Sequence, residues 1–149
     1  MTIPAFREDG WLPEGHHPAT WEEVAMAFGG EAGTRRRVLF ERLINWRDEL
    51  AAEGVSGRLL LNGSFASMKQ VPGDIDGLFV ISESTEHILT ERPASTDLIS
   101  HVQLKDRGVG DIFCFRESTV RDFPAMCRLD GFDLDKETGR PKGLVEVRI

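Results

Sequence analysis

The sequence predicts an α+β fold, a mixed β-sheet flanked by helices, and three observations predict it. A long stretch of helical periodicity precedes a continuous apolar run of strand length. Two further strand-like runs follow, separated by segments punctuated with Pro and Gly. No internal repeat, low-complexity tract or linker divides the chain, so residues 1–149 are expected to form one domain, with 1–19 as an N-terminal arm.

In chain order, Gly10 to Pro18 is rich in Gly and Pro and reads as an ordered loop or arm. Thr20-Trp21-Glu22-Glu23 has the form of a capping box, so a short helix is expected to about Phe28, ended by Gly29-Gly30. A long helix is expected from Arg35 to about Ala52. Thr34 is its N-cap, Leu39, Leu43, Trp46 and Leu50 form its apolar stripe, and Gly54 terminates it. Arg58 to Leu61 reads as a strand buried on both faces. A second strand is expected from Ile75 to Ile81 and a third from Val109 to Phe115. Pro93 should split the region from Glu83 to Lys105 into two short helices, or a helix and a loop. A helix kinked or divided at Pro124 is expected around Ser118 to Leu129. The tail reads as a hairpin turning through Lys136 to Gly139, with Leu144 to Ile149 as its second strand.

The bulk properties exclude several classes. A formal charge of −7 argues against a broad grip on nucleic acid, and no DNA groove binding is expected. No apolar run reaches the roughly 20 residues needed to span a bilayer, and the first residues lack the features of a secretion signal. Cys114 and Cys127 are the only cysteines, which fits reduced thiols in a cytoplasmic protein. An acidic protein that handles phosphates needs metal ions between the two.

The informative segment runs from Leu61 to Asp76. Gly63-Ser64, after a buried strand, offers close backbone approach and a hydroxyl for phosphate oxygens. Asp74 and Asp76, two apart on a strand, would point to one face. Asp111 lies within another strand-like run, where an unpaired acid is costly. If these strands are neighbours, three carboxylates converge. Two of them about 4 Å apart repel by roughly 4 kcal/mol at an effective dielectric near 20. A hard divalent ion, Mg²⁺ or Mn²⁺, would relieve that repulsion.

This segment resembles the signature of the nucleotidyltransferase superfamily: apolar–Gly–Gly/Ser, a spacer of roughly ten residues, then Asp–apolar–Asp/Glu, with a third acid on a following strand. The chain is also similar to a family of small bacterial nucleotidyltransferase-like proteins of uncharacterised function. That likeness takes in Leu12-Pro13-Glu14-Gly15, Trp21-Glu22-Glu23, Gly63-Ser64-Phe65, Pro72-Gly73-Asp74-Ile75-Asp76 and the tail from Pro141 to Val147. The resemblance implies a minimal nucleotidyltransferase fold and transfer of a nucleotidyl group from an NTP to a hydroxyl on a protein or RNA acceptor. By analogy with small proteins of this kind, a toxin–antitoxin or phage-defence partner is implied. It assigns catalysis and metal binding to Asp74, Asp76 and Asp111, and substrate binding to Gly63, Ser64 and Lys69. Gly77 departs from the pattern, standing where the superfamily has an apolar residue, and a bulge there would re-aim Asp76. The alternative expectation is a catalytically decayed module of the same fold that binds a nucleotide or a partner protein.

Other features have plainer readings. Arg35-Arg36-Arg37 reads as a solvated helix face, with acceptor binding as its functional alternative. Asp130, Asp133, Asp135 and Glu137 read as a hairpin turn rather than a calcium loop, because an EF-hand needs Gly where Thr138 stands. His16-His17 read as loop residues, and His87 and His101 carry no signal. Trp11, Trp21, Phe28 and Trp46 read as packing residues.

Overall fold

The computed structural model describes residues 3–120, 122–129 and 131–149. Its sheet has five strands: β1 (Gly15–Pro18), β2 (Gly57–Asn62), β3 (Asp76–Ile81), β4 (Asp111–Arg116) and β5 (Gly143–Arg148). Their spatial order is β1-β5-β2-β3-β4. β2 is antiparallel to both its neighbours, whereas β1 runs parallel to β5 and β3 parallel to β4. The fold is therefore α+β with a mixed sheet, as expected.

The helices follow local chemistry. In α1 (Trp21–Phe28) the Thr20 hydroxyl accepts from the Glu23 amide while Glu23 accepts from the Thr20 amide, completing the capping box. In α2 (Arg35–Glu53) Thr34 caps the start and Gly54, at φ 81°, closes the end in the left-handed conformation. Leu39, Leu43, Trp46 and Leu50 are fully buried from α2. Each contributes roughly 1.5–3 kcal/mol by leaving water, which outweighs the few tenths to 1 kcal/mol lost by each arginine near the positive helix start. Trp46 meets Phe79 edge-to-face at 5.5 Å and donates from Nε1 to the Leu98 carbonyl at 2.7 Å. The segment from Glu83 onward contains α3 (His87–Glu91) and α4 (His101–Asp106), with a 3₁₀ stretch Pro93–Ile99 between them.

The sheet alternates strictly, and its two faces differ. Leu59, Leu61, Phe79, Ile81, Ile112, Val145 and Val147 pack with α2 in the larger cluster. Leu60, Leu78, Val80 and Leu144 point the other way, to Cys127 of α5 (Phe123–Leu129). Among the described residues no helix is long and apolar enough to cross a membrane.

Four expectations are corrected. Gly15–Pro18 is an edge strand, not a loop: its backbone pairs with β5, and such pairing needs no apolar pattern. The hairpin exists only around its turn. Leu134 and Pro141 form one isolated bridge, and Leu144 onward pairs with β1 and β2 instead. β3 begins at Asp76, so Asp74 lies on the exposed backbone ahead of it rather than on the strand. Pro124 is the second residue of α5, where a missing N–H costs nothing, and no kink is needed.

Candidate functional site

The register places Asn62 of β2 opposite Asp76 of β3, and Asp76 opposite Asp111 of β4. Three polar residues therefore form one row across the ends of three adjacent strands. By alternation they share a face with Leu60, Leu78 and Phe113. All three line a cavity of about 640 Å³ together with Gly63 and Ser64. The arm supplies Asp9 and Trp11 to its wall, and the tail supplies Phe132, Lys136 and Lys142 among others.

Gly63 is required where it stands. Its φ of 72° and ψ of −165° fall in a region that only glycine occupies readily. A Cβ at this position would lie 2.1 Å from Asp76 Oδ2. The chain then turns through a single 3₁₀ turn, Ser64–Ala66. Arg36 fastens this loop. Its guanidinium donates to the carbonyls of Phe65 at 2.7 Å, Ser67 at 2.9 Å and Ser64 at 3.3 Å, and also to those of Phe28 and Lys69. Arg35 donates to Gly73 O at 2.7 Å, holding the loop before β3, and Arg37 donates to Gly30 O at 2.6 Å. The arginine run is thus committed to backbone carbonyls rather than forming a solvated face.

Gly77 causes no bulge, since the β3 register is regular from Asp76 to Ile81 on both sides. A Cβ there would lie 3.3 Å from both Leu59 Cδ1 and Leu60 O, so glycine suits a tightly packed point behind the acid.

Asp76 is pushed up from its ordinary 3.8 to about 6, first by burial, then by the charges of Asp74 and Asp111. Lys136 and Lys142 oppose this and do not cancel it. Asp111 Oδ1 is hydrogen-bonded to His101 Nε2, at the start of α4, and the imidazole stacks on Phe113 at 4.0 Å and 13°. His101 thereby fixes the direction of the Asp111 carboxylate. Asn62 is buried; its Nδ2 donates to Phe132 O at 2.5 Å, while Oδ1 has no hydrogen-bond partner among the described residues.

Of the residues expected at a site, Gly63, Ser64, Asp76 and Asp111 meet at one cavity. Asp74 and Lys69 are exposed and stand outside its lining, although Asp74 is near enough to act on Asp76. Lys69 instead contributes its carbonyl to Arg36 and its amide to Ser67 Oγ. Sequence reasoning missed three residues. Asn62 had a usable signal, as a polar residue ending a run of buried leucines. His101, ten residues before Asp111, had none until α4 is placed beside β4. Lys142 had none. In the tail, Asp133 pairs with Arg128 at 3.0 Å, and Asp135 accepts from the Glu137 amide at 3.0 Å and from the Thr138 hydroxyl, so both are turn-building groups. Asp130, of the same acidic cluster, lies outside the described residues.

Residues 4–148, nearly the whole chain, match the model of a family described as a family of unknown function (DUF6932). The chain belongs to that family. No curated protein and no solved structure matches it.

Proposed function

We propose that this DUF6932 chain is a metal-dependent nucleotidyltransferase of the cytoplasm. It would move a nucleotidyl group from an NTP to a hydroxyl on a protein or RNA acceptor, within a toxin–antitoxin or phage-defence pair. The observation that carries the reading is the pairing of Asp76 with Asp111 across neighbouring strand ends, beside Gly63-Ser64, in one cavity.

The donor set fits a hard divalent cation. Its oxygens are carboxylates, and the elevated Asp76 registers negative charge without full compensation. Among the described residues no three acidic, histidine or cysteine side chains close a metal site by themselves. That is compatible with Mg²⁺ or Mn²⁺, which such sites hold through one or two carboxylates while substrate phosphates and water complete the shell. Asp76 and Asp111 would hold the ion, with Asp74 contributing from the loop. When bound, the ion neutralises phosphate charge and the developing charge of pyrophosphate.

The chain's own groups have separate tasks. Gly63 leaves room for a phosphate beside the backbone, and Ser64 offers its hydroxyl to a phosphate oxygen. Asp111, oriented by His101, accepts the proton of the acceptor hydroxyl as its oxygen bonds to the α-phosphorus. The bond from that phosphorus to pyrophosphate breaks in the same step.

The second reading, a binding module without transfer activity, is favoured by one observation: Asp74 and Lys69 stand outside the cavity lining. Incubation with α-labelled NTPs, Mn²⁺ and a lysate containing protein and RNA separates the two. Label in macromolecules, lost in Asp76→Ala and Asp111→Ala, supports transfer. Nucleotide binding without label transfer supports the module, and absence of both with all four NTPs overturns both.

A further inference from the structure

Lys142 is the one buried lysine among the described residues, 5 % exposed, and it lines the cavity that holds Asp76. Its Nζ stands 4.0 Å above the centre of the Trp11 ring. Among the described residues it enters no salt bridge, although Asp76, Asp135 and Asp133 all act on it through space. An aromatic face returns only about 0.5–2 kcal/mol, well short of the several kcal/mol that burying an ammonium costs. The fold nonetheless keeps this charge at the cavity wall.

The backbone shows how. The Lys142 amide donates to Asp133 O at 2.8 Å, and the Gly143 amide donates to Leu12 O at 2.9 Å. Arg7 Nη1 grips the Pro141 carbonyl at 2.6 Å. Gly143 is packed so closely against the arm that a Cβ there would lie 2.0 Å from Pro13 O. The arm thus clamps both neighbours of Lys142, which prevents its stem from swinging out to water. The side chain is held at the cavity wall without an ion pair among the described residues. Among the described residues, what such a group lacks is an anion in direct hydrogen-bonded contact.

We infer that Lys142, seated on Trp11, is the residue that binds a phosphoryl oxygen of the cavity's ligand. The choice of a phosphoryl anion rests on the nucleotide reading above; the need for an anion does not. Lys142 reaches the cavity from the tail and lies within electrostatic range of Asp76, so it would neutralise phosphoryl charge beside that carboxylate. Burial depresses the ammonium's pKa, and a bound anion offsets that cost.

The test is a titration with inorganic pyrophosphate, with and without Mg²⁺, followed by intrinsic tryptophan fluorescence. Binding should perturb the Trp11–ammonium contact and give a saturable change that Trp11→Phe abolishes. Lys142→Gln should weaken pyrophosphate binding by at least about tenfold, the loss of one charge-assisted hydrogen bond, while Lys142→Arg retains most of it. Circular dichroism establishes that each variant is folded; if Lys142→Gln does not fold, the Lys142→Arg and Trp11→Phe arms decide. Wild-type protein that fails to bind pyrophosphate, or folded Lys142→Gln that binds it equally well, overturns the inference. Lys142-dependent binding without any NTP label transfer would remove the transferase reading and leave this one standing. Label transfer by Lys142→Gln with an unchanged KM for NTP would do the reverse.

Discussion

Asp76 Oδ2 fills the space that a side chain at position 63 would need, 2.1 Å from where a Cβ would sit. The glycine of the first motif and the acid of the second are therefore two halves of one packing arrangement. Gly63→Ala should cost about 1–3 kcal/mol from the backbone conformation alone, and more if Asp76 is displaced. Urea denaturation measures the loss. A companion Gly63→Ala/Asp76→Gly protein should recover part of it, because the clash is relieved while the backbone strain remains.

Asp76 also makes stability depend on pH in an unusual direction. Its folded pKa lies above its ordinary value, so the folded state holds the proton more tightly than the unfolded one. Its contribution is most favourable below about pH 4 and is lost as pH rises to about 6 and beyond. Allowing for solvent screening of a partly exposed group, the loss is about 1 kcal/mol. Asp76→Asn should therefore melt higher than wild type at pH 7.5, with the difference shrinking by pH 4. Millimolar Mg²⁺ should raise the wild-type Tm at pH 7.5 and leave that of Asp76→Asn nearly unchanged; equal responses would count against a cation at this acid.

Arg36 and Arg35 are neighbours in sequence with different burdens. Arg36 serves carbonyls of five residues across two loops, and burial lowers its pKa. Arg36→Ala should cost about 3 kcal/mol, and Arg36→Lys should recover little, since an ammonium cannot span those acceptors. Arg35→Ala, which loses one exposed bond, should stay within about 0.5 kcal/mol. Thermal melts of the three variants check this ordering.

Burial pushes the Cys114 thiol up to about 12, and Cys127 is fully buried. Neither should react with a thiol reagent at pH 8 in the folded protein, and both should react at once in denaturant. Rapid labelling of the native protein at Cys114 would contradict its placement.

Much of the fold was legible because it rests on local chemistry. The capping box at Thr20, the Thr34 and Gly54 caps and the leucine run of β2 need only short stretches of chain to declare themselves. Gly63 and Asp76 were legible as a spaced motif. The strand Gly15–Pro18 was not, since its hydrogen bonds come from a partner about 128 residues later in the register Gly15–Gly143. The same holds at the site. Asp111 could be placed from its strand, but His101 becomes meaningful only once α4 packs over β4. Lys142 resembles any loop lysine until the arm encloses it. Asp74 misled because alternation was extended two residues beyond the point where β3 begins.

The position of β5 between β1 and β2 sets an order of events during synthesis. Asp76, Asp111 and the Gly63 loop are all made well before residues 131–142, and the arm has no strand to join until β5 arrives. An elongating chain therefore carries its carboxylate row without a chamber around it. Trp11 and Lys142, 131 positions apart, come together only when β5 inserts beside β2. The chamber proposed to take the ligand is thus closed only after β5 has left the ribosome.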